Sequence, residues 1–192
     1  MKEGKTGASK NTPKNILFGA GTIHKNLKYT GNTWNFADSI IGATSGGSKI
    51  SIVPEVTKIE IDGALVAAKG LSVKTGETAT MEINFAELSP EIIKAATIGK
   101  DGASADNTFD LIESKESIEE GDYLENIAFV GETLDHRKII VIMDNALCTS
   151  GFEQEGKNKE GSVGTYTFEC HAALDGDLDK LPWHIYYPKA TA

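Results

Sequence analysis

Apolar and polar residues alternate along much of the chain, and that period of two predicts strands. In residues 165–172, Tyr166, Phe168, Cys170 and Ala172 fall on one face, while Thr165, Thr167, Glu169 and His171 fall on the other. That is the pattern of an antiparallel strand with one face buried. Residues 80–85 repeat it, with Met81, Ile83 and Phe85 inward. Residues 56–61 form a further strand, ending at Asp62-Gly63, a turn dipeptide whose glycine tolerates positive φ. Residues 138–143 carry four β-branched side chains in succession, Ile139 to Ile142, and read as a strand buried on both faces. Weaker strand patterns cover 16–18, 50–53, 126–130 and 184–187.

One helix interrupts the strands. Ser89 suits an N-cap and Pro90 the first helical position, where the missing N–H costs nothing. Glu91 lies in the first turn, where the helix dipole favours an acid, and Gly99 suits the residue just past the end. Its nine or so residues are too few to stand alone, so Ile92, Ile93 and Ala96 are expected to pack on a sheet. Two glycine-bearing segments read as long loops, 30–48 around Trp34, Phe36, Ile40 and Ile41, and 145–164. Loops of that length in a compact domain commonly serve a function. The aromatic one has two ordered destinations, a neighbouring subunit or its own domain. Residues 1–14 show no apolar period and read as a flexible arm, leaving 15–192 as one β domain.

The fold class expected is therefore mainly β: two packed antiparallel sheets, a sandwich or barrel, with one short flanking α-helix and long assembly loops. At 192 residues, 40% of them hydrophobic, the chain is long enough to bury a core without disulfides or a metal. Its two cysteines, Cys148 and Cys170, do not make a disulfide framework or a zinc site. Met1 to Lys5 have no apolar stretch behind them, so no signal peptide is expected, and the longest apolar run, 139–143, is far below the roughly 20 residues of a membrane helix.

The formal charge of −9 makes a poor partner for nucleic-acid phosphates. It is unevenly spread. Residues 1–28 hold six lysines against Glu3, whereas 101–125 hold nine acids against Lys115. A basic arm and an acidic surface are expected.

The candidate motifs for chemistry fail on inspection. Gly19-Ala20-Gly21-Thr22-Ile23-His24 opens like a dinucleotide fingerprint but ends in His24, with no helix pattern behind it. Asp175-Gly176-Asp177-Leu178-Asp179 opens like a calcium loop, yet Lys180 and Tyr186 stand where glycine and glutamate are needed. The four histidines lack metal-ligand spacing, and Cys170 and His171, adjacent in a strand, point to opposite faces. No enzyme activity, cofactor, metal or small-molecule substrate is expected.

Asn15-Ile16-Leu17-Phe18-Gly19-Ala20-Gly21-Thr22-Ile23-His24-Lys25-Asn26 resembles the N-terminal segment of the major tail (tail tube) proteins of phages infecting Gram-positive bacteria. The run from Val53 to Gly63, then Lys69-Gly70-Leu71, and the strand-then-Ser-Pro-helix of 80–96 are similar to that family's central part. Phe168-Glu169-Cys170-His171-Ala172, an acidic turn, and Leu181-Pro182-Trp183-His184-Ile185-Tyr186 resemble its closing strands. The resemblance implies a structural subunit whose six-membered rings stack into a hollow tube related to the inner tubes of contractile tails. Double-stranded DNA would pass through the lumen without specific binding. The partners implied are the chain itself, a tape-measure protein and tail terminator or completion proteins, and the implied location is the virion tail, assembled in the host cytoplasm. Inter-ring contacts in that family come from a long loop and terminal arms. Carried over, these are Lys5, Lys10 and Lys14 of the arm and Trp34, Phe36, Ile40 and Ile41 of the loop. The alternative expectation is a capsid-decoration or adhesion sandwich that binds a glycan or protein.

Overall fold

The computed structural model describes residues 7–189. Its elements are β1 (Leu17–Lys25), β2 (Tyr29–Thr30), β3 (Thr33–Trp34), β4 (Thr44–Lys58), β5 (Ser72–Phe85), α1 (Pro90–Thr97), β6 (Gly99–Gly102), β7 (Leu111–Ser114), β8 (Leu124–Thr133), β9 (Lys138–Cys148), β10 (Gly164–Cys170) and β11 (Trp183–Tyr186). Seven of the strands form one antiparallel sheet in the order β1-β8-β9-β10-β5-β4, with β11 continuing the β10 side of β9. The sheet rolls until its outer strands, β1 and β4, approach each other. Residues 39–41 close the seam: Lys25 N–H donates to the Ser39 carbonyl at 2.7 Å and Ile41 N–H to that of Ile23 at 3.2 Å. The fold is thus mainly β and sandwich-like with one α-helix, and its two layers are halves of a single rolled sheet.

The alternation seen in the sequence sets the core. Met81, Ile83 and Phe85 of β5 face Tyr166, Phe168 and Cys170 of β10, and all are buried with Ile23, Ile127, Phe129, Val141 and Met143 from the opposite half. Each large side chain so buried stabilises the fold by about 1.5–3 kcal/mol. Both cysteines are free and buried here, and burial pushes the Cys170 thiol up to about 12. The sheet turns sharply at β1, where the register shifts between Phe18 and Thr22. Gly21 sits there at φ +70, and a Cβ on it would come within 2.5 Å of the Phe129 ring, so only glycine fits.

β9 is buried on both faces, as its β-branched run predicts. Val141 and Met143 enter the main core, while Ile140 and Ile142 join Leu27, Ala128 and Val130 in a second apolar layer on the outside of the sheet. The predicted strands at 50–53 and 56–61 merge into one 15-residue strand, β4, that runs straight through Pro54. Proline is tolerated there because β4 lies at the sheet's edge and its outward N–H has no partner to lose.

Ser89 caps α1 as expected, its hydroxyl accepting from Ile92 N–H at 3.2 Å, and Ile92 and Ala96 reach the core. The helix end differs from expectation. Ile98, not Gly99, takes the left-handed conformation (φ 50), and Gly99 already opens β6. A β-branched residue in that region carries a strain of about 1–2 kcal/mol.

Of the segment expected to be a flexible arm, residues 1–6, with Lys5, lie outside the described residues. Thr12–Asn15 is a 3-10 turn held against the domain. Arg137 Nη2 donates to the Lys14 carbonyl at 2.6 Å and the Tyr187 hydroxyl to Asn15 Oδ1 at 2.6 Å.

Candidate self-assembly surfaces

Two chain segments compete for the role of an assembly element, and their geometry separates them. The first is the aromatic loop. A tight hairpin, β2–β3, turns at Gly31 and Asn32, both at positive φ, and lays Trp34 and Phe36 over the second apolar layer. Trp34 meets the Tyr186 ring edge-on at 4.9 Å between centroids, and the Lys138 ammonium lies 4.0 Å from the centre of the Phe36 ring. The loop therefore folds back on its own domain, which half-buries Trp34 and Phe36, two of the four side chains expected at contacts with another ring. Ile41, 7% exposed, is equally spent in the core, and Ile40 alone of the four remains exposed.

A buried histidine pins this flap. His24, 1% exposed, has both ring nitrogens occupied. Ser39 Oγ donates to the Asn35 carbonyl at 2.6 Å, so it must accept from His24 Nδ1–H at 2.8 Å. Nε2 is then the acceptor for the Thr22 hydroxyl, also at 2.8 Å. Burial, reinforced by Lys138, lowers the imidazole pKa and keeps the ring neutral.

The second segment is an arm. β4 and β5 pair far beyond the rest of the sheet: β10 leaves β5 at Thr80, while the β4–β5 ladder continues to the pair Lys58–Ser72. Between residues 53 and 75 every residue is exposed except Leu71, which is half-buried. The paired stalk is about 20 Å long at 3.3 Å per residue. It carries Val53, Val56, Ile59, Ile61 and Val73 in water, and its tip holds Leu65 at 98% and Val66 at 80% exposed.

Glu77 ties the root of the arm to the domain. That carboxylate, 6% exposed, accepts from the Lys74 ammonium at 2.6 Å and from Leu181 N–H at 2.8 Å, tying β5 to the segment that leads into β11. The Lys74 contact first, and the Leu181 amide second, hold its pKa below the usual carboxylate range. A bulge between Glu55 and Val56 adds twist just above.

The sequence signal for the arm was present as strand pattern in 56–61 with its turn at Asp62-Gly63, where Ala64 N–H closes on the Ile61 carbonyl at 3.0 Å. What sequence reasoning missed is that nothing among the described residues covers it. Lys10 of the expected basic segment is exposed and Lys14 half-buried. Within the acidic segment, Lys115 lies between Asp122 at 2.6 Å and Glu119 at 3.2 Å, and the hydrogen bond to Asp122 raises its pKa. Lys94 pairs with Asp101 at 3.1 Å. Among the described residues no group of three or more acidic, histidine or cysteine side chains is arranged to hold a metal, and no helix is long and apolar enough to cross a membrane. No protein-family model and no curated protein matches the chain.

Proposed function

We propose that this chain is the structural subunit of a phage tail tube, built as stacked six-membered rings around a channel for DNA. The observation that carries the reading is the arm. An isolated two-stranded ribbon is marginal in water, and this one extends from its domain with aliphatic side chains uncovered along the stalk and at the tip. Such a surface is an aggregation hazard unless another molecule occupies it, and a second copy of the same chain is the partner always present at assembly. The long free edge of β4 adds unpaired backbone groups that a neighbouring sheet would satisfy.

The charge supports the same reading. A net charge of −9 disfavours adhesion to DNA, which suits a conduit better than a binder. Imaging of the purified full-length chain at high concentration tests the proposal: rings or tubes are expected, and a strictly monomeric species in every buffer would overturn it. The glycan-binding alternative rests on the partly exposed cluster of Tyr29, Trp34 and Tyr186. Saccharide binding by a stable monomer would favour it.

A further inference from the structure

Three aspartates in the chain are followed by glycine: Asp62, Asp101 and Asp175. Such a pair carries a latent reaction, because a glycine amide has no neighbouring Cβ to shield it from the preceding carboxyl. The fold sorts the three. Asp101 lies in β6, where both of its carboxylate oxygens accept from the Lys94 ammonium at 3.1 Å and Gly102 stands opposite Leu111 in the ladder. A Cβ on Gly102 would come within 2.7 Å of the Glu113 side chain, so the backbone there is closely packed. Gly176 is exposed, but its N–H donates to the Ala173 carbonyl at 3.0 Å, which occupies the nitrogen that would have to react with Asp175.

Asp62–Gly63 differs on each count. The pair forms the centre of the turn that Ala64 N–H closes on the Ile61 carbonyl, and Gly63 stands at φ +85, the pattern of a type II turn. Such a turn uses its first carbonyl and its last N–H, so the central N–H is left over. Among the described residues Gly63 N–H donates to no backbone carbonyl, both residues are exposed, and nothing lies within 4 Å of where a Gly63 Cβ would be. The turn lies beyond the bond from Ile59 N–H to the Leu71 carbonyl, at 2.8 Å, that ends the ladder. One hydrogen bond holds it, and a segment held so lightly opens at little cost.

We propose that Asp62–Gly63 is a spontaneous modification site at which the main chain isomerises to isoaspartate, with water as the only co-reactant. The Gly63 nitrogen attacks Cγ of Asp62. The N–Cγ bond forms, the Cγ–OH bond breaks, and the amide proton leaves with that hydroxyl as water, giving a cyclic imide. Water then adds to the imide. Cleavage of the new N–Cγ bond restores aspartate, whereas cleavage of the original peptide bond leaves the chain running through Cβ and Cγ. The product keeps the mass and the carboxylate but has one more atom in the main chain, so the Ala64–Ile61 bond can no longer close as before. The proposal holds whether or not the chain assembles, since it concerns the dispersed subunit.

The test is to hold the dispersed full-length chain near neutral pH and sample it over weeks. Isoaspartate is read by a protein isoaspartyl methyltransferase with a labelled S-adenosylmethionine methyl donor, followed by peptide mapping. Label is expected to accumulate in the peptide containing Asp62 roughly tenfold faster than in those containing Asp101 or Asp175. Asp62→Glu, an exposed substitution whose longer side chain closes the ring poorly, should lose that label, with circular dichroism confirming that it folds. In urea, where the fold no longer distinguishes three like dipeptides, the rates should converge. Equal labelling of the three sites in the folded chain, or no label at Asp62, would overturn the proposal. So would a preference for Asp62 that persists unchanged in urea, because the selectivity would then belong to local sequence and not to the turn.

Discussion

The flap and the arm are made of similar material and meet opposite fates. Each is a segment with glycine turns and large apolar side chains, and each begins from an edge strand of the rolled sheet. The flap lands on Ala128, Val130, Ile140 and Ile142, an apolar surface its own chain supplies, and is fastened there by His24 and Ser39. The arm passes beyond the last pair that β10 makes with β5 and has no layer beneath it among the described residues. Side-chain hydrophobicity does not separate intramolecular packing from assembly; what separates them is whether the fold presents a matching face within reach.

Hydrogen exchange within the single strand β5 should show the contrast most strongly. Amides at 80–84, paired on both sides by β4 and β10, are expected to exchange roughly a thousandfold more slowly than those at 73–77 in the unassembled protein. Equal rates along the strand would mean the arm is covered. Next in size, Trp34→Ala combined with Phe36→Ala should lower the unfolding free energy by about 2–4 kcal/mol in urea titrations, through loss of packing over the second layer. An unchanged midpoint would show the flap to be loosely laid.

Acid offers a gentler way to lift the flap. The native state holds His24 neutral with its pKa lowered, so its contribution is complete above the unfolded imidazole's value of about 6.5 and is lost as the pH falls below it. Stability measured from about pH 7 to about pH 5 should therefore fall more in the unaltered chain than in His24→Gln, and identical slopes would remove the histidine from the account. The smallest effect is expected at the arm tip. Leu65→Ser with Val66→Ser should shift the unfolding free energy of the dispersed subunit by no more than about 0.5 kcal/mol, because both side chains are almost fully exposed among the described residues.

Local pattern carried the parts of the fold whose two faces differ. Residues 80–85 and 165–170 alternate cleanly and lie where they should, and Ser89-Pro90 starts the helix as its capping chemistry requires. Pro54 divided β4 in the sequence reading, because a proline's acceptability depends on which strand lies at the edge, and that is a tertiary fact. The doubly buried run at 139–143 did hold a clue to the flap. A strand apolar on both faces needs a cover outside the main core, and the Trp34–Phe36 loop was the aromatic segment without another assignment. The arm was illegible for the converse reason. Val53, Val56, Ile59 and Ile61 spell a strand with apolar positions, and nothing in their order says that the opposing layer is missing.

The burial of both thiols has a practical consequence. With Cys148 and Cys170 sealed in the interior and the latter's ionisation pushed to about 12, the native surface offers no nucleophilic sulfur to alkylating dyes. A cysteine introduced at position 65 would thus be a solitary handle, and a fluorophore attached there would report on its surroundings without background from the parent molecule.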